Sequence, residues 1–224
     1  MVPKENPLDF DIYPVTCQKL SRGRSNLEVL DALIEGGARI VQLREKELPD
    51  GEFFKLARLF RHRTAKIGMT LIINDRLDVC RAVEADGLHL GQDDFPLREA
   101  RKLLGPQTII GVSTHNVKEA LRAVEDGADY INVGPVFQTQ TKQHSGPPVG
   151  LRLFQEISSQ VKIPITVMGG INLDNLDQVL QAGAKRVAVV SAITTADNIV
   201  ETTREFRRRI REATTRKRPT VESS

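Results

Sequence analysis

The sequence predicts an α/β protein in the form of a single-domain (β/α)8 TIM barrel, and three observations carry that prediction. Apolar runs of strand length alternate with amphipathic helical stretches from one end of the chain to the other. The runs are rich in Ile, Val and Leu and apolar on both faces, as strands buried in a parallel sheet are. A short helix-to-strand join recurs as Glu35-Gly36-Gly37-Ala38, Glu84-Ala85-Asp86-Gly87, Glu125-Asp126-Gly127-Ala128 and Gln181-Ala182-Gly183-Ala184, which marks one supersecondary unit repeated.

In order, the strands are expected over Asp11–Cys17, Arg39–Glu45, Thr70–Asn74, Gly87–Leu90, Thr108–Val112, Tyr130–Gly134, Ile165–Met168 and Arg186–Val190. Between them the 3.6-residue period predicts helices such as Asn26–Glu35, Gly51–Lys66, Val117–Glu125 and Leu173–Gln181, with Asn116 and Asn172 as N-caps. At each join a glycine is expected to take the left-handed conformation that ends the helix. Eight strands, with a helix after nearly every one, favour closure over an open sheet. The first strand also lacks the Gly-x-Gly-x-x-Gly of a dinucleotide fold. The barrel domain is expected over residues 11–213, between a flexible N-terminus at 1–10 and a disordered basic tail at 214–224.

Composition narrows the function. A chain of 224 residues buries enough core to need no staple, and Cys17 and Cys80 have no paired spacing, so neither a disulfide framework nor a zinc site is indicated. No leader and no membrane-length apolar run occurs, which predicts a cytoplasmic protein with no membrane partner. The net charge is only +3, concentrated in Arg207-Arg208-Arg209-Ile210-Arg211 and Arg216-Lys217-Arg218. A basic tail can bind nucleic acid, but no base-stacking aromatics accompany it. Ile210 also stands at helical spacing from Phe206, so the run reads as the solvated face of a last helix and no nucleic-acid partner is expected.

Active sites of such barrels lie at the carboxyl ends of the strands, and the polar residues collect there. In Gln42-Leu43-Arg44-Glu45-Lys46, strand alternation puts Gln42, Arg44 and Lys46 on the inner face and Val41 and Leu43 against the helices. Arg and Lys on that face suit a polyanionic substrate, or pair with the barrel's own carboxylates. The next strands end in Ile73-Asn74-Asp75-Arg76 and Leu90-Gly91-Gln92-Asp93-Asp94, so Asp75 and Asp94 project from neighbouring strands about 4.8 Å apart. Two carboxylates beside a phosphate-binding face suit Mg²⁺. Asp94 could instead cap the helix near Pro96, and Asp93 could fill either role. Ser113 and His115 follow the fifth strand. After the sixth comes a loop long for a barrel connection, carrying Thr139, Thr141 and Lys142, two hydroxyls and a cation able to close over a diphosphate. Gly169-Gly170 and Val190-Ser191 follow the seventh and eighth strands, where this fold often holds a phosphate. The whole gives two anion sites and no activated nucleophile.

Taken together, Gln42–Lys46, Ile73–Arg76, Gly87–Asp94, Gly111–His115, Thr139–Lys142, Gly169–Ile171 and Val190–Ile193 resemble the thiamine phosphate synthases over roughly residues 11–210. That resemblance implies a transferase of thiamine biosynthesis that condenses hydroxymethylpyrimidine diphosphate with thiazole phosphate, releasing pyrophosphate. Its mechanism is dissociative: the leaving group departs first and the thiazole nitrogen captures a pyrimidine-methyl cation. It also implies roles by position. Arg44, Lys46, Asn74 and Lys142, with Gln42 alongside, would contact the diphosphate or pyrimidine, and Ser113 would sit near the pyrimidine. Asp75 and Asp94 would hold Mg²⁺. Thr139, Thr141, Gly169 or Gly170, Val190 and Ser191 would hold the thiazole phosphate. Arg44, Lys46, Ser113 and Lys142 are the residues expected to carry catalysis. The nearest rival is the sister thiazole tautomerase, which uses the histidine at His115. A non-catalytic sensor of a phosphorylated ligand, and another phosphate-binding isomerase or aldolase, are further readings. A homo-oligomer is left open.

Overall fold

The protein, described by a computed structural model over residues 6–139 and 147–216, is an eight-stranded parallel barrel wrapped in helices. The strands are β1 Ile12–Pro14, β2 Ile40–Leu43, β3 Thr70–Asn74, β4 Gly87–Leu90, β5 Ile109–Thr114, β6 Tyr130–Val133, β7 Ile165–Val167 and β8 Val187–Val189. Each pairs with its sequence neighbour, and β1 pairs with β8, so the hydrogen-bonded order runs β1-β8-β7-β6-β5-β4-β3-β2. A bridge from Val15 to Gln42, with the Thr16 amide donating to the Gln42 carbonyl at 2.9 Å, joins the remaining edges. The helices are α1 Asn26–Glu35, α2 Asp50–Ile67, α3 Leu77–Ala82, α4 Leu97–Leu104, α5 Val117–Glu125, α6 Gly150–Gln160, α7 Leu176–Gln181, α8 Ser191–Thr194 and α9 Ile199–Arg216.

Strand alternation creates two cores. Val41, Leu43, Leu71, Ile73, Leu88 and Ile131 face outward and meet the helices in one continuous layer. Ile40, Ile72, Ile109, Tyr13, Tyr130, Ala188 and Phe10 fill the barrel interior. That interior is tight. A Cβ on Gly111 would lie 1.9 Å from the Tyr130 ring, so only glycine at this strand position admits the tyrosine. The last helix docks through Phe206 and Ile210, both fully buried, as their spacing predicts.

The structure revises several expectations. At three joins the left-handed residue is Gly37, Gly127 or Gly183, but at the other it is Glu84, while Gly87 already belongs to β4. Asn116 caps α5 by accepting from the Glu119 amide. Asn172 does not cap α7: its side chain accepts from the Asp174 and Asn175 amides in a local turn, and the helix starts three residues later than that cap implies. The fifth strand continues through Ser113 to Thr114. The N-terminal boundary also moves. Phe10 is buried in the interior core, Asp9 pairs with Arg39 at 3.1 Å, and Arg186 Nε donates to the Leu8 carbonyl at 3.0 Å, so residues 8–10 belong to the barrel. At the other end α9 runs three residues past the expected limit.

The arginine run on α9 is tied down within the protein. Arg207 and Arg211 both reach Asp11 (3.0 and 2.6 Å), Arg208 bridges Glu205 and Glu212, and Arg209 pairs with Asp177. Both cysteines are free thiols, and no helix among the described residues is long and apolar enough to cross a membrane.

Candidate active site

A cavity of about 490 Å³ opens at the carboxyl ends of the strands. Its size suits a small-molecule ligand. Twelve of the residues singled out in the sequence line it: Gln42, Arg44, Lys46, Asn74, Asp75, Asp94, Ser113, Thr139, Gly169, Gly170, Val190 and Ser191. Thr141 and Lys142 lie outside the described residues. The gathering follows from the fold, because each residue ends a strand or begins the loop after it and inward-facing positions of parallel strands converge on one mouth.

Charge is concentrated on the side built by β2, β3 and β4. Lys46 Nζ lies 2.9 Å from Asp75 Oδ2. Asp75 sits at φ +60°, a left-handed conformation uncommon for a residue with a side chain, held by its amide donating to the His89 carbonyl at 2.9 Å. Asp94 accepts from the Gly91 amide at 2.6 Å, and Pro96, not Asp94, occupies the N-cap of α4. Burial first, then the hydrogen bond to Asp75, push the Asp94 carboxyl above the usual range. Two carboxylates this close resist joint ionisation unless a cation joins them. Asp93 is exposed on the rim. Arg76, next in sequence to Asp75, turns away to Asp50 and Asp78 at 2.6 and 2.7 Å.

Beneath this charged side lies an uncharged hydrogen-bonded floor, of which sequence reasoning named Gln42 and Ser113 but missed Tyr13, His89 and Tyr130. Gln42 Nε2 donates to the Tyr13 hydroxyl (2.8 Å), which meets the Tyr130 hydroxyl at 2.7 Å. His89 Nδ1 is 2.9 Å from Tyr130, and His89 Nε2 is 2.9 Å from Ser113 Oγ. Nearby, Thr166 donates to the Asn132 side-chain oxygen at 2.7 Å. Burial pushes the His89 pKa down to about 4, and the Asp94 charge only partly opposes it. The signals were present: a histidine between Leu88 and Leu90, a glycine inside β5, and the chain's two tyrosines both within strands.

The opposite wall is backbone-rich. Gly169 and Gly170 both have positive φ, and a Cβ on either would strike the segment after β6, at Pro135 or at the Gln138 carbonyl, each 2.4 Å away. Close packing of two loops therefore requires these glycines, whatever they bind. His115 also lines the cavity, with Nδ1 held 2.9 Å from Glu119.

A Ser–His contact invites comparison with a nucleophilic dyad, but the chemistry differs. The partner orienting His89 is a neutral phenol rather than a carboxylate, and a ring this weakly basic is a poor proton acceptor near neutrality. Among the described residues no group of three or more His, Cys, Asp or Glu side chains could hold a metal. Four carboxylates line the cavity: Asp75, Asp93, Asp94 and Glu119.

Comparison with known proteins agrees with this arrangement. The family model described as thiamine monophosphate synthase matches residues 12–193. A thiamine-phosphate synthase of Moorella thermoacetica is 48% identical over 209 residues, covering 93% of this chain and 98% of the relative. One from Chloroflexus aurantiacus is 48% identical over 200 residues, covering 89% and 92%. The solved thiamine phosphate pyrophosphorylase from Pyrococcus furiosus superposes with a TM-score of 0.85 at 34% identity, over 93% of this chain and 99% of that one. The chain belongs to the thiamine monophosphate synthase family.

Proposed function

We propose that this enzyme joins hydroxymethylpyrimidine diphosphate to thiazole phosphate in a Mg²⁺-assisted, dissociative transfer. The C–O bond between the pyrimidine methylene and the diphosphate breaks with its electron pair leaving on oxygen. The thiazole nitrogen lone pair then forms the new C–N bond, giving thiamine phosphate and pyrophosphate. Neither step needs a protein nucleophile or a strong base, so the work of the site is to position two substrates and stabilise a departing anion.

The observation that carries this reading is the Lys46–Asp75–Asp94 cluster at the cavity mouth. Two adjacent carboxylates are a donor set that fits a hard divalent cation completing its shell with phosphate oxygens and water. Asp75 and Asp94 would hold the ion, which when bound neutralises charge on the diphosphate. Arg44, Lys46 and Asn74, with Lys142, are assigned to the diphosphate and pyrimidine, Gln42 and Ser113 to the pyrimidine side. Thr139, Thr141, the Gly169-Gly170 turn, Val190 and Ser191 are assigned to the thiazole phosphate.

The oriented His115–Glu119 pair in the same cavity supports one second reading, the sister tautomerase, which has no use for a diphosphate site. One assay separates them. Purified protein is given both phosphorylated substrates, with Mg²⁺ or with a chelator, and thiamine phosphate is followed. Product that requires Mg²⁺ and falls away in Lys142→Ala is expected. A folded protein that binds thiazole phosphate, isomerises the thiazole and forms no coupled product would sink the proposal.

A further inference from the structure

The buried floor contains an unusually long chain of uncharged groups: Gln42, Tyr13, Tyr130, His89 and Ser113, each within 2.9 Å of the next. Its direction follows from counting hydrogens. A tyrosine hydroxyl has one hydrogen to give, and a neutral imidazole has one N–H. Gln42 gives an amide hydrogen to Tyr13. Tyr13 could accept a second hydrogen, but its own would then meet no acceptor in the chain; satisfying every hydroxyl hydrogen requires Tyr13 to give to Tyr130 and Tyr130 to give to His89 Nδ1. With Nδ1 an acceptor, the ring hydrogen sits on Nε2 and points at Ser113 Oγ. That leaves the serine's own hydrogen without a use in the chain, and Ser113 lines the cavity.

We infer that His89 is a positioning residue, held as the Nε2–H tautomer by the tyrosine pair, and that it turns Ser113 into a hydrogen-bond donor aimed at an acceptor atom of the bound substrate. Its surroundings fit a fixed neutral ring. His89 and both tyrosines are fully or almost fully buried, the His89 and Tyr130 rings stack at 5.6 Å, and Gly111 leaves the space that fixes Tyr130. The opposite polarity, with Ser113 donating to His89, would present only lone pairs to the substrate. The two arrangements thus make Ser113 a donor or an acceptor, with opposite consequences for what it can bind.

The inference rests on the proposed coupling reaction only for its kinetic arm. The first arm needs no turnover. Nitrogen-15 histidine spectra of the full chain at neutral pH should show His89 as the Nε2–H tautomer, the resonance being assigned by its loss in His89→Gln. An Nδ1–H signal would overturn the inference even if the wild type makes product. The kinetic arm uses a double-mutant cycle. His89→Leu is expected to lower kcat about tenfold, the effect of losing one oriented hydrogen bond, with KM changing little. His89→Gln, which keeps an N–H near the Nε2 position, should recover most of it. In a Ser113→Ala background His89→Leu should change kcat by less than about twofold, because a residue acting only through Ser113 has nothing left to act on. An undiminished His89→Leu effect in that background would mark a general structural role and overturn the inference. Failure of the wild type to couple its substrates would remove the kinetic arm and leave the tautomer to decide.

Discussion

The two ends of the barrel handle charge in opposite ways. At the amino ends of the strands Asp11, its side chain only 9% exposed, receives Arg207 and Arg211, and also accepts from the Ile12 amide. Arg186 is half-buried over the Phe10 ring and bonded to the Leu8 carbonyl. These charges are compensated within the protein and lie against an apolar plug. At the carboxyl ends Lys46 has one carboxylate, Asp75, and Asp94 is pushed toward its neutral form beside it. One end is satisfied without a ligand, while the other improves when a polyanion and a cation arrive. The asymmetry teaches where to look for function in a fold whose ends are built from the same strands. Stability is kept where charges are paired, and chemistry where they are left short of partners.

The largest effect expected from breaking this contrast is at the closed end. Asp11→Ala would strand Arg207, whose side chain is 13% exposed, without its carboxylate. Breaking a buried pair by removing one partner costs about 3–5 kcal/mol. Denaturant unfolding should register that loss, while kcat of the folded fraction stays near wild type because nothing at the mouth moves. Proportional loss of kcat without loss of stability would mean the ends are coupled.

Between the ends lies the uncharged floor, and its pH dependence sharpens the comparison. His89 titrates at about 4 in the folded protein because burial disfavours its charged form, against about 6.5 in an unfolded chain. The unfolded state therefore binds the extra proton between these values. Stability from this site is complete above about pH 6.5 and is lost as pH falls toward 4, by an amount of order 3 kcal/mol. His89→Gln, which has nothing to titrate, should flatten that part of the stability curve. A wild-type curve already flat from pH 6.5 to 4 would contradict a neutral buried ring.

How much of this was legible in the sequence follows the same division. The strands and the mouth residues were readable because period-2 alternation and strand ends are local properties. Gln42, Arg44 and Lys46 sort to one face by counting alone. At the closed end, Leu8, Asp9 and Phe10 read as a flexible terminus because they follow a polar, Pro-containing stretch, and their partners Arg39 and Arg186 stand 30 to 178 residues away. Asn172 was misplaced for a related reason: an asparagine before an apolar residue signals a turn and a cap equally, and only the observed bonds to Asp174 and Asn175 distinguish them. The floor stayed hidden because no single strand contains it. Tyr13, Gln42, His89, Ser113 and Tyr130 come from five strands; Gln42 and Ser113 stand out at strand ends, but Tyr13, His89 and Tyr130 each alone read as ordinary buried side chains.

The smallest energetic effect, and the cleanest functional one, belongs at the mouth. Lys46 is about half exposed, so its contact with Asp75 is screened by water and contributes little to folding. Lys46→Ala should change unfolding free energy by less than about 1 kcal/mol. The same ammonium stands at the carboxylate cluster where the diphosphate is proposed to leave, and removing a preorganised donor to developing charge typically costs about 10²-fold or more in turnover. The expected result is therefore kcat down about a hundredfold with the melting transition nearly unmoved, the inverse of Asp11→Ala. Lys46→Arg tests whether charge alone suffices. Arg is a planar fork where Lys is a compact point charge, so partial recovery is expected, not full. A Lys46→Ala enzyme that turns over normally would show that the cation at the mouth serves only to neutralise Asp75, and the contrast between the two ends would lose its functional half.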